Sequence, residues 1–153
     1  MQAKLMLFPL LAMFLLTCLV AATMLQRRVA FYKANRVHPQ KTATSAQMTA
    51  TITDSRAADN FRNLFETPVL FYVAVLAIFA AGLVCTAHLV LAWAYVAARF
   101  AHSYIQCTRN VVMHRFYAFV TSCTMLIAIW LMLAYQLLFV GGLWRSRWRI
   151  VPE

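Results

Sequence analysis

Charged residues are scarce in this chain: Asp, Glu, Lys and Arg make up 12% of its 153 residues, about half the share of an average soluble domain. With 63% of the residues apolar, too little polar surface remains to coat a globule, which argues against a soluble enzyme or a secreted domain. The sequence also lacks the period-two alternation of barrel strands, so its long apolar runs must satisfy their backbone polar groups inside helices. Cysteine is sparse and unpatterned: Cys18, Cys85, Cys107 and Cys123 stand singly, with no C-x-x-C or Cys/His ligand spacing. A structural zinc and a disulfide framework are therefore not expected. Four acidic residues against fourteen Lys and Arg leave a formal charge of +10. No basic face separates from the apolar runs, so this excess reads as a record of membrane orientation rather than of a nucleic-acid partner. At this length the chain is one domain, 1–153.

Leu5 to Leu25 is a 21-residue run without a charge, long enough to cross a hydrocarbon layer of about 30 Å at about 1.5 Å per residue. It reads as a first span. A cleaved signal peptide fits less well, because the apolar stretch is long and Val20-Ala21-Ala22 lacks the small-x-small pattern. Residues 26–62 form a polar connection, basic at first and then rich in Thr, Ser and Ala, with Asp59 or Asn60 as a cap for the next helix. From Thr67 to Ala98 no charge occurs for 32 positions, which as one straight helix would measure about 48 Å, too long for a single crossing. Gly82 is the one glycine there and divides the run into spans near 63–81 and 83–106. A fourth span is expected over 111–140, with Asn110 as its cap and Gly141-Gly142 ending it. The fold class expected is an all-α integral membrane protein, a four-helix transmembrane bundle.

Four spans place both termini on one side of the membrane. The two connections on the other side, with their adjoining helix ends, hold ten Lys and Arg, and the terminal side holds four. The positive-inside rule then puts the connections in the cytoplasm and the termini outside it, in a bacterial inner membrane or the endoplasmic reticulum. This topology gathers seven polar groups at one membrane face: Arg28 at the end of the first span, Arg62, Asn63 and Glu66 at the start of the second, Arg99 and His102 at the end of the third, and Arg115 at the start of the fourth. Ionisable groups cost about 2.5–3.5 kcal/mol each near the bilayer centre, less toward the interface, so several converging groups suggest a site. Helical spacing lets Asn63 with Glu66, Arg62 with Glu66, and Arg99 with His102 each share a face. Taken singly, each residue has a plainer role. Arg28 and Arg99 can snorkel to the headgroups, Arg62 and Glu66 can be an i,i+4 ion pair, and His102 and His88 can be hydrogen-bonded packing residues.

In combination, the segment Arg62-Asn63-Leu64-Phe65-Glu66-Thr67, followed 33 residues after Glu66 by Arg99-Phe100-Ala101-His102-Ser103 and then by Arg115, resembles the MAPEG superfamily, the membrane-associated proteins in eicosanoid and glutathione metabolism. The likeness is nearest to the branch containing microsomal prostaglandin E synthase. It implies a homotrimer of four-helix subunits that binds glutathione between neighbours near the cytoplasmic face. By position it implies Arg28, Arg62, Asn63, Glu66 and His102 as glutathione ligands, Arg115 as the arginine that holds the thiolate, and Arg99 as a supporting neighbour. Where prostaglandin-type members carry Tyr, Ser and Tyr, this chain has Gln106, Phe116 and Phe119. Prostaglandin isomerisation is therefore not supported, and glutathione binding is the more secure implication. The expected activity is a glutathione-dependent transferase or peroxidase acting on lipophilic electrophiles or hydroperoxides that enter from the membrane lipids. The alternative is a non-catalytic membrane assembly protein that keeps the fold and offers its basic face to anionic lipid. A channel is disfavoured, because no polar stripe crosses the spans.

Overall fold

The computed structural model describes residues 2–140, and all regular structure among them is helical. In chain order the helices are α1 (Gln2–Leu5), α2 (Leu7–Asn35), α3 (Ser45–Thr51), α4 (Arg56–Asn63), α5 (Thr67–Ala80), α6 (Thr86–Cys107) and α7 (Val112–Tyr135). A 3-10 turn over Pro39–Thr42 precedes α3, and a π-helical turn over Gln136–Val140 follows α7. Among the described residues, three stretches are long and apolar enough to cross a membrane: Leu7–Asn35, Arg56–Ala80 and Val112–Phe139. The proposed stop at Gly141-Gly142 lies outside the described residues.

Several expected boundaries move, each for a local reason. The first helix does not end with its apolar run at Leu25. It continues through Arg27 and Arg28 to Asn35 and stops where Arg36 turns left-handed at φ 51°, since residues 26–35 contain no Gly or Pro to break it. Neither Asp59 nor Asn60 caps the second span, because the helix already begins at Arg56. Instead Pro68 breaks it: proline lacks an N–H and crowds the carbonyl four residues back, so α4 closes at Asn63 and α5 opens at Thr67 with Pro68 in its first turn. The Gly82 turn is where the sequence placed it. Gly82 has φ +66°, its N–H bonds Phe79 O at 3.1 Å, and Leu83 N–H bonds Ile78 O at 3.1 Å. That is the paired Schellman closure, which favours glycine at the left-handed position. Asn110 does not cap α7, whose N-cap is Val111. Asn110 itself is left-handed at φ 50° and occupies the tight turn after α6.

The core forms where one stripe of each long helix meets the others. Met13, Leu16 and Val20 of α2 pack with Phe71, Val75 and Ile78 of α5, Tyr95 and Val96 of α6, and Leu126, Ile129 and Leu133 of α7. Spacings of three and four on α2, α5 and α7 keep each of those stripes on one helical face. Phe71 and Tyr95 stack with ring centroids 4.3 Å apart. The outward faces carry Phe8, Leu11, Leu15 and Leu19 on α2 and Ile127 and Leu131 on α7, all exposed, as suits helices bathed in acyl chains. The most extensive helix pair is α6 with α7, while α4 rests on α2 and α6.

The connection between α2 and α4 is held by a charged clip. Asp54 accepts hydrogen bonds from Arg27 at 3.3 Å and from Arg56 at 2.7 and 2.9 Å. The same two arginines donate to the carbonyls of Cys107 and Thr108 at the end of α6, where the unpaired carbonyls of the last turn favour cations. Arg56 beside Asp54 holds its carboxyl below the usual carboxylate range. Farther out, Tyr32 Oη and Thr42 Oγ1 share a hydrogen bond, and a capping box at Thr44 and Gln47 starts α3.

Candidate functional site

A cleft of about 490 Å³ opens between α4, the α4–α5 break, the last turns of α6 and the first two turns of α7. Of the residues singled out in sequence, Arg62, Asn63, Glu66, His102, Gln106 and Arg115 line it, joined by Asp59. Asp59, Arg62 and Asn63 fall at i, i+3 and i+4 on one face of α4, and Glu66 follows in the break between α4 and α5. Sequence reasoning used Asp59 only as a cap and so missed its place on that face. The i,i+4 ion pair between Arg62 and Glu66 is absent among the described residues: α4 ends at Asn63, and the backbone departs from helical angles at Glu66 itself, with φ −95° and ψ −104°. Both side chains are exposed, and neither has a side-chain hydrogen bond among the described residues. An unpaired guanidinium and an unpaired carboxylate therefore stand a turn apart on one wall.

His102 is fixed from two sides. Its Nδ1 lies 3.0 Å from the Arg115 carbonyl and its Nε2 lies 2.9 Å from the Gln106 amide. A carbonyl only accepts, so Nδ1 carries the proton. The atom facing Nε2 is Gln106 Oε1, so a neutral ring accepts at Nε2 only with that amide turned to present its N–H₂. Gln106 thus holds the ring where the resemblance leads one to expect a tyrosine. Arg115 reaches back to the left-handed turn, its Nη1 donating to Asn110 Oδ1 at 2.9 Å, so Asn110 orients the arginine rather than capping the helix. Phe116 and Phe119 supply an apolar wall, and the Phe119 ring sits 5.9 Å from that of His102.

Two expected site residues stand elsewhere. Arg99 is 0% exposed and lies behind the cleft wall, where its Nη2 donates to Asn63 Oδ1 at 2.9 Å and to Asn63 O at 3.3 Å. Its Nε and Nη1 have no hydrogen-bond partner among the described residues. Arg99 therefore does not snorkel, and it is not among the residues that line the cleft. It positions Asn63. Arg28 lines a second cleft, of about 740 Å³, between the end of α2, α3 and α4. Among the described residues, only Asp59 and Arg62 border both spaces. Asn60, expected at most to be a cap, is fully buried and ties α4 to α6: it accepts from Ser103 Oγ and donates to Cys107 Sγ, each at 3.3 Å. His88, also fully buried, is held through Nδ1, 3.2 Å from Leu83 O and 3.5 Å from Cys85 Sγ, while its Nε2 has no hydrogen-bond partner among the described residues.

The first cleft thus offers two arginines, two carboxylates, two amides and an oriented histidine beside an aromatic wall. Such a set suits a small zwitterionic ligand with an apolar neighbour, and its volume falls within the range of about 300–1,000 Å³ usual for small-molecule sites. Comparison with curated proteins and with solved structures gives no match. A family model matches residues 5–135, across the spans and the whole cleft, and the chain belongs to the MAPEG family.

Proposed function

We propose that this protein is a glutathione-binding membrane transferase or peroxidase whose second substrate is a lipophilic electrophile or hydroperoxide. The observation that carries this reading is the convergence of Arg62, Asn63, Glu66, His102, Gln106 and Arg115 on one cleft in a chain of the MAPEG family. Glutathione carries two carboxylates, an ammonium and a thiol. The Arg62 fork suits one carboxylate, Glu66 suits the ammonium, and the amides of Asn63 and Gln106 supply neutral donors. A thiol of pKa near 8.5 is mostly protonated at neutral pH, and its thiolate is the nucleophile. Arg115, held by Asn110, is the cation placed to stabilise that anion. Phe116 and Phe119 would receive the apolar co-substrate. Arg28 stands in the neighbouring cleft, and the proposal does not use it.

The same reading includes a four-span subunit and a homotrimer. At 22 residues, α6 has the length of a crossing, about 33 Å. Its less apolar composition comes from His88, Arg99, His102, Ser103 and Gln106, all buried against other helices rather than facing outward. In a single copy Arg62 and Glu66 remain exposed, so a neighbouring copy that closes this side would dry the site and strengthen its electrostatics. The charge split supports an orientation with the connections in the cytoplasm and both termini outside it. The test is glutathione affinity measured by calorimetry on purified protein. Wild type is expected to bind. Arg62→Ala is expected to weaken glutathione and an S-alkyl analogue equally, by about tenfold or more, the equivalent of a charge-assisted contact of about 1.5–3 kcal/mol. Absence of binding by folded wild type would reject the proposal.

A further inference from the structure

The second cleft differs in chemistry from the first. Its walls are mostly apolar: Met24 and Phe31 from α2, Met48 and Ile52 on one face of α3 and just beyond it, and Phe65 from the α4–α5 break. Its charged lining is three arginines, Arg27, Arg28 and Arg62, against two aspartates, Asp54 and Asp59. Arg27 is spent on Asp54 and on the Cys107 carbonyl, and Asp59 accepts from Ser55 Oγ at 2.6 Å. Arg28 has no hydrogen-bond or ion-pair partner among the described residues, and one negative charge would balance the lining. The cleft lies where the first apolar run gives way to charge, between Met24 and Arg28, at the depth where acyl chains meet headgroups.

We propose that this cleft is a selective site for one anionic phospholipid of the surrounding bilayer, its phosphodiester on Arg28 and the start of an acyl chain along the Met24, Phe31 and Ile52 wall. A phosphodiester carries one negative charge and its oxygens match the guanidinium fork. The apolar walls suit methylenes and not a zwitterionic tripeptide, which separates this occupant from the ligand of the first cleft. Because Met48 and Ile52 are four residues apart, α3 turns one side chain and its C-terminal neighbour toward the same space. The short helix thereby covers the lipid site, though none of its own residues is buried.

The test is native mass spectrometry of the full chain released from nanodiscs of phosphatidylcholine, with and without phosphatidylglycerol, without glutathione. Wild type is expected to retain phosphatidylglycerol about tenfold over phosphatidylcholine. Arg28→Gln is expected to abolish that preference, Arg28→Lys to restore part of it, and Arg109→Gln, an exposed arginine outside the cleft, to leave it intact. Equal retention of the two lipids by wild type would overturn the proposal, as would a loss in the Arg109 variant equal to that in the Arg28 variant, which would mean a diffuse basic surface. Competition adds a second readout. Glycerol phosphate should not displace the lipid, because it lacks the chain. If it does, or if glutathione does, the cleft is not a lipid site. Since retention is read without glutathione, a failure here leaves the reading of the first cleft untouched, and the converse also holds.

Discussion

Substituting Asn63 isolates the contribution of the buried arginine behind the cleft. Arg99 is fully buried, and Asn63 supplies every hydrogen bond it makes among the described residues, one of 2.9 Å from the side chain and one of 3.3 Å from the backbone. Asn63→Ala removes the shorter bond and leaves a guanidinium with only the longer one. Hydrogen bonds between neutral groups in a membrane protein average about 0.6 kcal/mol. A bond to a buried charge with no other side-chain partner belongs in the stronger range of about 1.5–3 kcal/mol. Arg99→Met removes the charge while keeping much of the volume. In the double variant nothing charged is left unpaired, so its cost should fall short of the sum of the single costs by at least about 1 kcal/mol. The assay is unfolding by sodium dodecyl sulfate titration from mixed micelles, followed by circular dichroism. Additivity within about 0.3–0.5 kcal/mol, as for independent sites, would refute the idea that Arg99 acts through Asn63.

Other expectations follow from the connecting loop and the turns. The Asp54 clip should depend on pH in one direction. Its folded carboxyl titrates below the ordinary value of about 3.9, so its contribution is complete above about pH 4 and is lost as pH falls through the lower folded value. Protease nicking between residues 36 and 55 should therefore stay slow from pH 7 to pH 5 and quicken in more acid buffer, and Asp54→Asn should be nicked faster even at pH 7. Gly82→Ala forces a side chain into a backbone of φ +66°, with no atom within 4 Å of its methyl. It should cost about 1–2 kcal/mol from backbone strain alone, read as a lower unfolding midpoint, and a neutral result would mean the turn relaxes.

The long helices were legible because apolar length and a lone glycine act locally. Leu5–Leu25 and the Gly82 turn are set by composition and by the need for a left-handed residue, and both are readable without a structure. The Arg62, Asn63, Glu66, His102 and Arg115 cleft was legible for the same reason, since each residue sits within a turn or two of a helix end. What escaped depends on the chain folding back on itself. Residues 26–62 read as a polar linker, yet Asp54 joins Arg27 and Arg56, which donate to the end of α6, and Arg28 lines the cleft beside α3. Pro68 carried a readable break that the apolar run around it masked. The division between Arg99, buried behind the wall, and Arg62, free on its surface, depends on helix rotation, which a three-residue spacing leaves open.

The role proposed for Arg115 is to hold a thiolate, and ultraviolet thiolate absorbance of bound glutathione against pH tests that role most directly. Wild type should show a bound thiol titrating below the free thiol, near 8.5. Arg115→Ala should raise that value by about 1–2 pH units, the equivalent of a charge-assisted contact, while leaving the affinity for an S-alkyl analogue nearly unchanged, because a thioether cannot ionise. A bound thiol no more acidic than free glutathione, or an Arg115 variant that titrates like wild type, would contradict the catalytic account and favour a binding protein that keeps the family fold.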